Sequence, residues 1–168
     1  MTPKQLSRQL REDDDDFLAR RRGIVACGLA AAGAMGLIAL YQIGIMKHLP
    51  EPPLSGFDAD KVDASEEAYS YLQTPDAFIG LGSYAATMGL AAMGPKNRAQ
   101  TQPWIPLALL AKTTADAAQA AKLTVDQWTK HKAFCFWCLL AAAATFAALP
   151  LAVPEGVAAV NQLRKKLD

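Results

Sequence analysis

Cys135 and Cys138 are separated by two residues at the start of a long apolar run, "FCFWCLLAAAATFAALPLAV", in a chain of 168 residues. Two thiols at this spacing can join as a disulfide and separate again, which is the chemistry of dithiol oxidoreductases. A helix start favours the thiolate, because its N–H groups are unpaired and its dipole is positive there. His131, Lys130 and Lys132 are close in sequence and are expected to add to this effect. We therefore predict that Cys135 and Cys138 are catalytic.

Two other roles for the cysteine pair stay open at the level of sequence. A structural zinc site needs about four ligands, and His131 and His48 are the histidines that complete a set with the two thiols. Two buried cysteines can also pack as small apolar side chains. Cys27 stands alone in another apolar block and is interpreted as a packing residue. Redox exchange is the favoured interpretation, and no metal is predicted.

The elements that must position the pair are long apolar segments. Each is close to the length that crosses a hydrocarbon core of ~30 Å as a helix. We predict an all-α membrane protein, a four-transmembrane-helix bundle with spans at about 24–46, 75–94, 104–123 and 134–153. The segment "DASEEAYSYLQ" predicts a short amphipathic helix in the first outer loop. The predicted divisions are a charged cytoplasmic tail, a membrane domain and a basic cytoplasmic tail, at 1–22, 23–154 and 155–168.

Two patterns inside the predicted spans concern helix packing. Gly28, Ala32 and Gly36 are four residues apart and predict a face that another helix can approach closely. Lys112 and Asp116 are also four apart, and ionisable residues at membrane depth usually face the bundle interior and pair. The pair is interpreted either as a neutralised packing contact or as part of a proton relay, and both interpretations stay open.

The distribution of charge bears on location and partners. The net charge is +1, and the basic residues flank apolar blocks instead of forming one basic face, so no nucleic-acid partner is expected. Lysine and arginine are concentrated in residues 1–22, 95–103 and 155–168. The positive-inside rule then predicts a multi-pass protein of a bacterial-type inner or plasma membrane, with cytoplasmic termini and Cys135 and Cys138 at the outer face. That compartment permits disulfides.

A dithiol that is oxidised at a membrane needs an electron acceptor within the bilayer. A lipid-soluble quinone, of the ubiquinone or menaquinone type, is the predicted cofactor. The predicted partners are this quinone, the membrane lipids, and a thioredoxin-like or other thiol protein at the outer face.

The "FCFWC" motif that opens the fourth predicted span and the "PDAFIGLGSY" stretch that opens the second resemble the vitamin K epoxide reductase family of integral membrane thiol oxidoreductases. The resemblance covers roughly residues 20 to 153. It implies that Cys138 lies next to the quinone and that Cys135 exchanges disulfides. It also implies that Asp76 occupies about the position where family members often have an Asn that bonds a quinone oxygen. A carboxylate can donate there only when protonated.

The remaining predicted quinone-binding residues are Tyr84, Phe134 and Trp137. Tyr84 belongs to the second-span match. For the aromatic residues of the cysteine motif, packing against lipid is the alternative to lining the pocket.

Two features depart from the family pattern. Residues 47–74 contain no cysteine, although the family usually has a loop pair there that relays electrons from a partner to the motif. Ala142 stands where some members have Tyr. Two functions therefore remain: a quinone-dependent thiol–disulfide oxidoreductase, or a non-catalytic membrane scaffold or lipid- or quinone-binding subunit of the same ancestry.

Overall fold

The structure, a computed structural model, describes the chain from residue 2 to residue 167, with side chains to residue 166. This part of the chain is helical and contains no strand. The helices are, in chain order, α1 (Pro3–Glu12), α2 (Asp16–Gln42), α3 (Ala59–Asp63), α4 (Asp76–Ala92), α5 (Arg98–Thr101), α6 (Trp104–Asp126) and α7 (Phe136–Leu167). A 3₁₀ turn at Glu66–Tyr69 and a π turn at Gln127–His131 complete them.

The four long helices α2, α4, α6 and α7 form an antiparallel bundle in which α2 packs against α4 and α7, and α6 packs against α7. We call the loops at 43–75 and 127–135 the cysteine end. There a parallel bridge joins Phe57 to Phe134. We call residues 2–22, 93–103 and 155–167 the charged end. There Lys96 bonds Asp13 at 2.8 Å, so the N-terminal helix lies beside the loop between α4 and α5.

The long helices coincide with the four apolar segments of the sequence. Two of them, Asp16–Gln42 and Phe136–Lys166, are long and apolar enough to cross a membrane. Helix α4 has 17 residues, and α6 carries the Lys112–Asp116 pair. The all-helical architecture is thus observed, while the number of crossings stays a prediction.

Close packing in the bundle relies on small residues. Gly28 is buried on α2, and a Cβ there would meet the side chain of Met88 on α4 at 2.6 Å. The predicted face of Gly28, Ala32 and Gly36 is only partly correct. Gly36 has no neighbour within 4 Å of such a Cβ, and the buried small residues are Ala31 and Ala34 instead. The face follows a 3.6-residue period, which a strict spacing of four does not match.

The ends of α2 and α7, the first and last long helices, differ from the predicted span boundaries. Helix α2 begins at Asp16, where the Asp15 carboxylate caps it by accepting from the Phe17 N–H at 3.0 Å. Helix α7 runs through Pro150 and Pro154 to Leu167, so residue 154 is not a helix end. Proline removes backbone hydrogen bonds, but packing beyond it can hold the helix together. Asp168 lies outside the described residues.

Buried charge explains why α7 continues past its prolines. The Glu155 carboxylate accepts hydrogen bonds from the guanidinium groups of Arg21 and Arg98, and all three side chains are almost fully buried. The Arg98 Nη2 to Glu155 Oε2 distance is 2.7 Å. Arg21 and Glu155 therefore belong to the folded bundle, although the sequence placed them in or next to charged tails.

The loop at residues 43–75, the predicted first outer loop, contains two short helical turns instead of one amphipathic helix. Helix α3 is capped by Asp58, whose carboxylate accepts from the Lys61 N–H at 3.0 Å. The 3₁₀ turn follows, and the backbone then turns left-handed at Leu72 and Gln73, with φ of 53° and 54°. A helix cannot continue through such residues, so the helical region ends there. The break between α3 and the 3₁₀ turn lies at Ser65, whose backbone is extended, with φ of −68° and ψ of 157°.

Candidate active site

The two cysteines of the motif lie at the start of α7. Cys138 is in its first turn, and its backbone N–H donates to Cys135 Sγ at 3.1 Å. Both thiols are free, and their sulfur atoms lie within 4.8 Å of one another. Residues three apart on a helix share one face, so the local geometry brings the thiols together without any long-range contact.

Cys135 is enclosed by the first outer loop. It is fully buried, in a cluster with Leu49, Ala59 and Val62 of that loop. Its backbone N–H donates to Gln127 Oε1 at 3.0 Å. Trp137 lies one residue before Cys138, and its indole N–H donates to the Pro50 carbonyl at 2.7 Å. This hydrogen bond holds the loop against the cysteine pair. A protein partner cannot reach Cys135 while this cover is closed.

The structure adds Asp63, which the sequence analysis did not place in the site. The Cys138 thiol donates to Asp63 Oδ1 at 3.4 Å. Asp63 is 3% exposed, and its second oxygen, Oδ2, has no hydrogen-bond partner among the described residues. Burial raises the pKa of the Asp63 carboxyl to about 6, against the opposing effect of hydrogen bonds from the two thiols. No local pattern distinguishes Asp63 from the other acids of the loop, because the contact spans 75 residues.

The expected electrostatics of the pair are therefore wrong. The sequence suggested that histidine and lysine would stabilise the thiolate. The charged group in contact with the thiols is instead a carboxylate, because α3 carries Asp63 against the first turn of α7. A nearby negative charge disfavours a thiolate.

The donors for the alternative zinc site are not assembled as the sequence suggested. His48 is exposed, and its Nδ1 pairs with Asp60 Oδ2 at 2.7 Å. The donor atoms that do cluster, within 4.8 Å of one another, belong to Asp63, Cys135 and Cys138. Structural zinc sites use four protein ligands, so we assign no metal to these three groups.

A cavity of about 760 Å³ lies between the long helices and opens beside the cysteine end. Cys138, Asp63, Asp76 and Tyr84 contribute polar atoms to its wall. Apolar lining comes from α2, α4 and α7, through Met35, Ile38, Gly80, Ala141 and Ala142. The loops and α6 add charged side chains to the lining. Ligand sites of this size commonly combine apolar walls with a few polar groups, and the part formed by α2, α4 and α7 fits a quinone ring in chemical character.

Asp76 and Tyr84 are held in place by neighbouring helices. The Asp76 carboxylate accepts from Gln42 Nε2 at 2.7 Å, and the same Gln42 side chain accepts from the Ala77 N–H at the start of α4. The Tyr84 hydroxyl bonds Thr145 Oγ1 at 3.0 Å. The structure thus brings Cys138, Asp76 and Tyr84 to one cavity.

Phe134 and Trp137 lie outside this cavity, contrary to the prediction. The Phe134 ring stacks on Trp128 with ring centroids 5.6 Å apart. The Trp137 indole is directed to Pro50 by its hydrogen bond. The Phe134 backbone pairs with residues 56–58 of the loop, so its side chain belongs to the cover of Cys135. The Trp137 ring also packs against small residues of α2 and α7.

The family model of the vitamin K epoxide reductase family matches residues 23–153. This chain belongs to the vitamin K epoxide reductase family. Members of the family are membrane-associated oxidoreductases and are in general linked to quinones. A comparison with curated protein sequences found no significant match.

In this member of the vitamin K epoxide reductase family, the loop between α2 and α4 has no cysteine between residues 47 and 74. The structure shows which group of this loop meets the cysteine motif. It is the Asp63 carboxylate, at the end of α3.

The Lys112–Asp116 pair faces the interior of the bundle, as predicted. Lys112 Nζ lies 2.6 Å from Asp116 Oδ1 and also donates to Ser83 Oγ on α4 at 2.7 Å. Thr87 on α4 donates to Asp116 Oδ2 at 3.0 Å. Asp116 also contributes to the cavity wall. The pair therefore joins α6 to α4 by a polar network next to the cavity.

Cys27 belongs to a different region of the bundle. It packs against a core cluster that includes Ile24, Leu109 and Ala148, toward the charged end. Fifteen residues of helix, about 22 Å, separate it from Gln42 at the end of α2. Its surroundings agree with the predicted packing role.

Proposed function

We propose that this protein is a quinone-dependent thiol–disulfide oxidoreductase. Cys135 and Cys138 lose two electrons and two protons as their S–S bond forms, and a partner dithiol restores them while its own disulfide forms. A quinone in the cavity supplies the acceptor for the two electrons and two protons. The observation that carries the proposal is the position of Cys138, which lies in the cavity wall with the Cys135 sulfur within 4.8 Å.

The two cysteines have separate tasks in this proposal. Cys138 faces the cavity and passes electrons to its occupant. Cys135 exchanges with the thiol protein, and because it is fully buried, this exchange requires the outer loop to lift. The hydrogen bond from Trp137 to the Pro50 carbonyl and the pairing of Phe57 with Phe134 must then open.

The proposed location is a bacterial-type inner or plasma membrane, crossed four times, with the cysteine end outside. The positive charge gathered at the opposite end supports this orientation. Residues of α1, the loop before α5 and the end of α7 all contribute lysine or arginine there. The thiol partner then meets the protein in a compartment where disulfides persist.

Counting free thiols in the reduced, nanodisc-embedded protein tests the proposal. A short-chain ubiquinone or menaquinone analogue is added, and remaining thiols are labelled with a maleimide of known mass. We expect the label count to fall from three to one, with Cys27 still reactive after denaturation. Cys27→Ser serves as the matched control and should show a fall from two to zero. Cys138→Ser should show no fall.

The competing function is a non-catalytic scaffold, which the buried state of Cys135 and the cysteine-free loop favour. Three labelled thiols before and after both quinones would support it and contradict the proposal. A stoichiometric zinc ion in the purified protein would also contradict it. In the Cys138→Ala variant, a thioredoxin-like protein should accumulate as a mixed disulfide through Cys135, whereas a scaffold yields none.

A further inference from the structure

We propose that Asp63 is the proton acceptor of the cysteine pair: its carboxylate takes the thiol proton of Cys138 when the Cys135–Cys138 disulfide forms. This inference rests on the proposed redox role of the two cysteines. It assigns to the cysteine-free loop a direct part in the chemistry, through proton transfer instead of electron relay.

The first argument is contact. Asp63 Oδ1 accepts from the Cys138 thiol at 3.4 Å, and a carboxylate oxygen of Asp63 lies within 4.8 Å of both sulfur atoms. Helix α3 ends at Asp63, and Gln42 Nε2 donates to the Asp63 carbonyl at 3.2 Å. The hydrogen bond from Gln42 holds the Asp63 backbone against α2, and the Asp63 carboxylate contacts the Cys138 sulfur, which is a reacting atom.

The second argument is the incomplete solvation of this carboxylate. Asp63 Oδ2 is buried and has no partner among the residues that the structure describes. A buried carboxylate with only thiol donors at one side and one bare oxygen is a poorly stabilised anion. Gaining a proton removes the charge, so the surroundings favour uptake at the moment a neighbouring thiol must lose its proton.

Between residues 2 and 166, no cationic side chain is in contact with the Asp63 carboxylate. Asp76 on α4 and Glu51 in the outer loop add negative charge, and both raise the pKa of Asp63. Tyr41 on α2 and Tyr69 in the 3₁₀ turn also lie within range of its charge. Lys130 and His131 of the π turn line the same cavity. The pKa of about 6 leaves Asp63 mostly ionised, and able to accept, at neutral pH.

The proton balance of the step is closed. Two thiols become one disulfide and release two electrons and two protons. The Cys138 proton moves to Asp63 Oδ1 and then leaves toward the cavity, so the carboxylate ends as it began. The electrons and both protons are taken up by the oxidant, which is a quinone in the proposed function and diamide in the test below.

The pH profile of disulfide formation distinguishes this role from a structural one. The reduced protein in nanodiscs is oxidised with diamide between pH 5 and pH 8.5, and the rate is followed by maleimide labelling. With an internal acceptor, the rate rises through about pH 6 and is then flat, because thiol and carboxylate share one proton throughout that range. In Asp63→Asn the proton must pass to solvent, so the rate should climb steadily with pH. At pH 6.5 we expect the variant to be slower by about tenfold or more.

Two further variants keep the test interpretable. Asp63→Glu should restore part of the plateau, which a purely structural defect would not allow. Asp60 lies on the same short helix, where its carboxylate pairs with the exposed His48 and accepts from the Leu49 N–H at 2.9 Å. Asp60→Asn keeps an oxygen that can accept this hydrogen bond, so the variant should keep the wild-type profile. A plateau that persists in Asp63→Asn, or a wild-type rate without a plateau, overturns the inference. The two proposals can fail separately, because diamide replaces the quinone in this test. If Asp63→Asn changes the diamide profile as expected but quinones do not oxidise the thiols, the proposed function is refuted and the role of Asp63 is not.

Discussion

At the scale of single residues, the site depends on an acid placed against two thiols. The sequence suggested a cationic surrounding for Cys135 and Cys138, whereas the group in contact with them is the Asp63 carboxylate. A cation would hold a permanent thiolate. A buried carboxylate instead keeps the thiols protonated until oxidation begins. The pair is thus protected from uncontrolled reaction while its cavity is empty.

The raised pKa of Asp63 also predicts a pH dependence of stability. Between the ordinary pKa of 3.8 and the folded-state pKa of about 6, the folded protein holds this proton more tightly than the unfolded chain. The stabilisation is complete below about pH 4 and is lost as pH rises through 6. Two pKa units correspond to roughly 3 kcal/mol at most. We expect Asp63→Asn to flatten the fall in unfolding free energy between pH 4 and pH 7.

Unfolding of detergent-solubilised protein at several pH values measures this effect. The difference between wild type and Asp63→Asn should change with pH in that window and stay constant above pH 7. Asp60→Asn should follow the wild type. If the unfolding free energies of wild type and Asp63→Asn ran parallel against pH, the pKa of Asp63 in the folded protein would be its ordinary one.

At the scale of helices, α4 and α6 are joined by polar groups rather than by apolar packing alone. Lys112 and Asp116 of α6 bond each other and the Ser83 and Thr87 hydroxyls of α4. Charge inside a membrane bundle is costly unless it is paired. The network therefore fixes the rotation of α6 and keeps Asp116 at the cavity wall.

A double-mutant cycle measures the strength of this network. Lys112→Met or Asp116→Asn alone leaves a partner poorly compensated and should cost about 2 kcal/mol or more. The double variant should cost clearly less than the sum of the two. The control is Lys122–Asp126 on the same helix at the same spacing, where the lysine side chain is 62% exposed against 26% for Lys112. That pair should couple by about 0.5 kcal/mol or less. Equal coupling in both pairs would contradict a buried structural role for Lys112 and Asp116.

Element boundaries show how far the sequence predicts this fold. Hydropathy locates all four long helices, because each must present an apolar surface along most of its length. It misplaces the end of α7, because the local effect of Pro150 and Pro154 is outweighed by Glu155 binding Arg21 and Arg98 from distant segments. Likewise, spacing identifies Cys135 and Cys138, whereas Asp63 comes from another element and carries no local signature.

The aromatic residues of the motif show the same limit. Asp76 and Tyr84, which the resemblance proposes as quinone-binding residues, both line the cavity, and their contact with a quinone stays a prediction. Phe134 precedes α7, in a segment that pairs with the outer loop, so helical periodicity does not apply to it. The orientation of the Trp137 side chain is set by the hydrogen bond from its indole N–H to the carbonyl of Pro50 in the loop. Hydrogen bonds to irregular segments are not encoded in a hydrophobic pattern.

At the scale of the whole molecule, the bundle has two chemically different ends. The cysteine end carries the thiols, the loop cover and the mouth of the cavity. At the charged end a buried ion cluster joins α2, α5 and α7, and the more exposed pair of Lys96 and Asp13 holds α1 beside them. This polarity predicts a single orientation in the membrane.

Labelling of single cysteines from one side tests that orientation. Ser7 in α1 and Ser55 in the outer loop are both exposed and lie at opposite ends of the bundle. Each is changed to cysteine in a protein whose three native cysteines are serine. In bacterial cells whose outer membrane is permeabilised and whose inner membrane is intact, a membrane-impermeant maleimide should label Ser55→Cys and not Ser7→Cys. Lysis should expose both, and the reverse pattern would place the thiols in the cytoplasm and remove the basis for an extracytoplasmic partner.

The ion cluster at the charged end has a consequence for biosynthesis. Arg21 and Arg98 leave the ribosome well before Glu155, and both are buried only in the finished bundle. Until the last helix arrives, two guanidinium groups have no counter-charge and their part of the chain cannot close. A chain that ends before Glu155 therefore leaves both arginines without the carboxylate that pairs with them in the finished bundle.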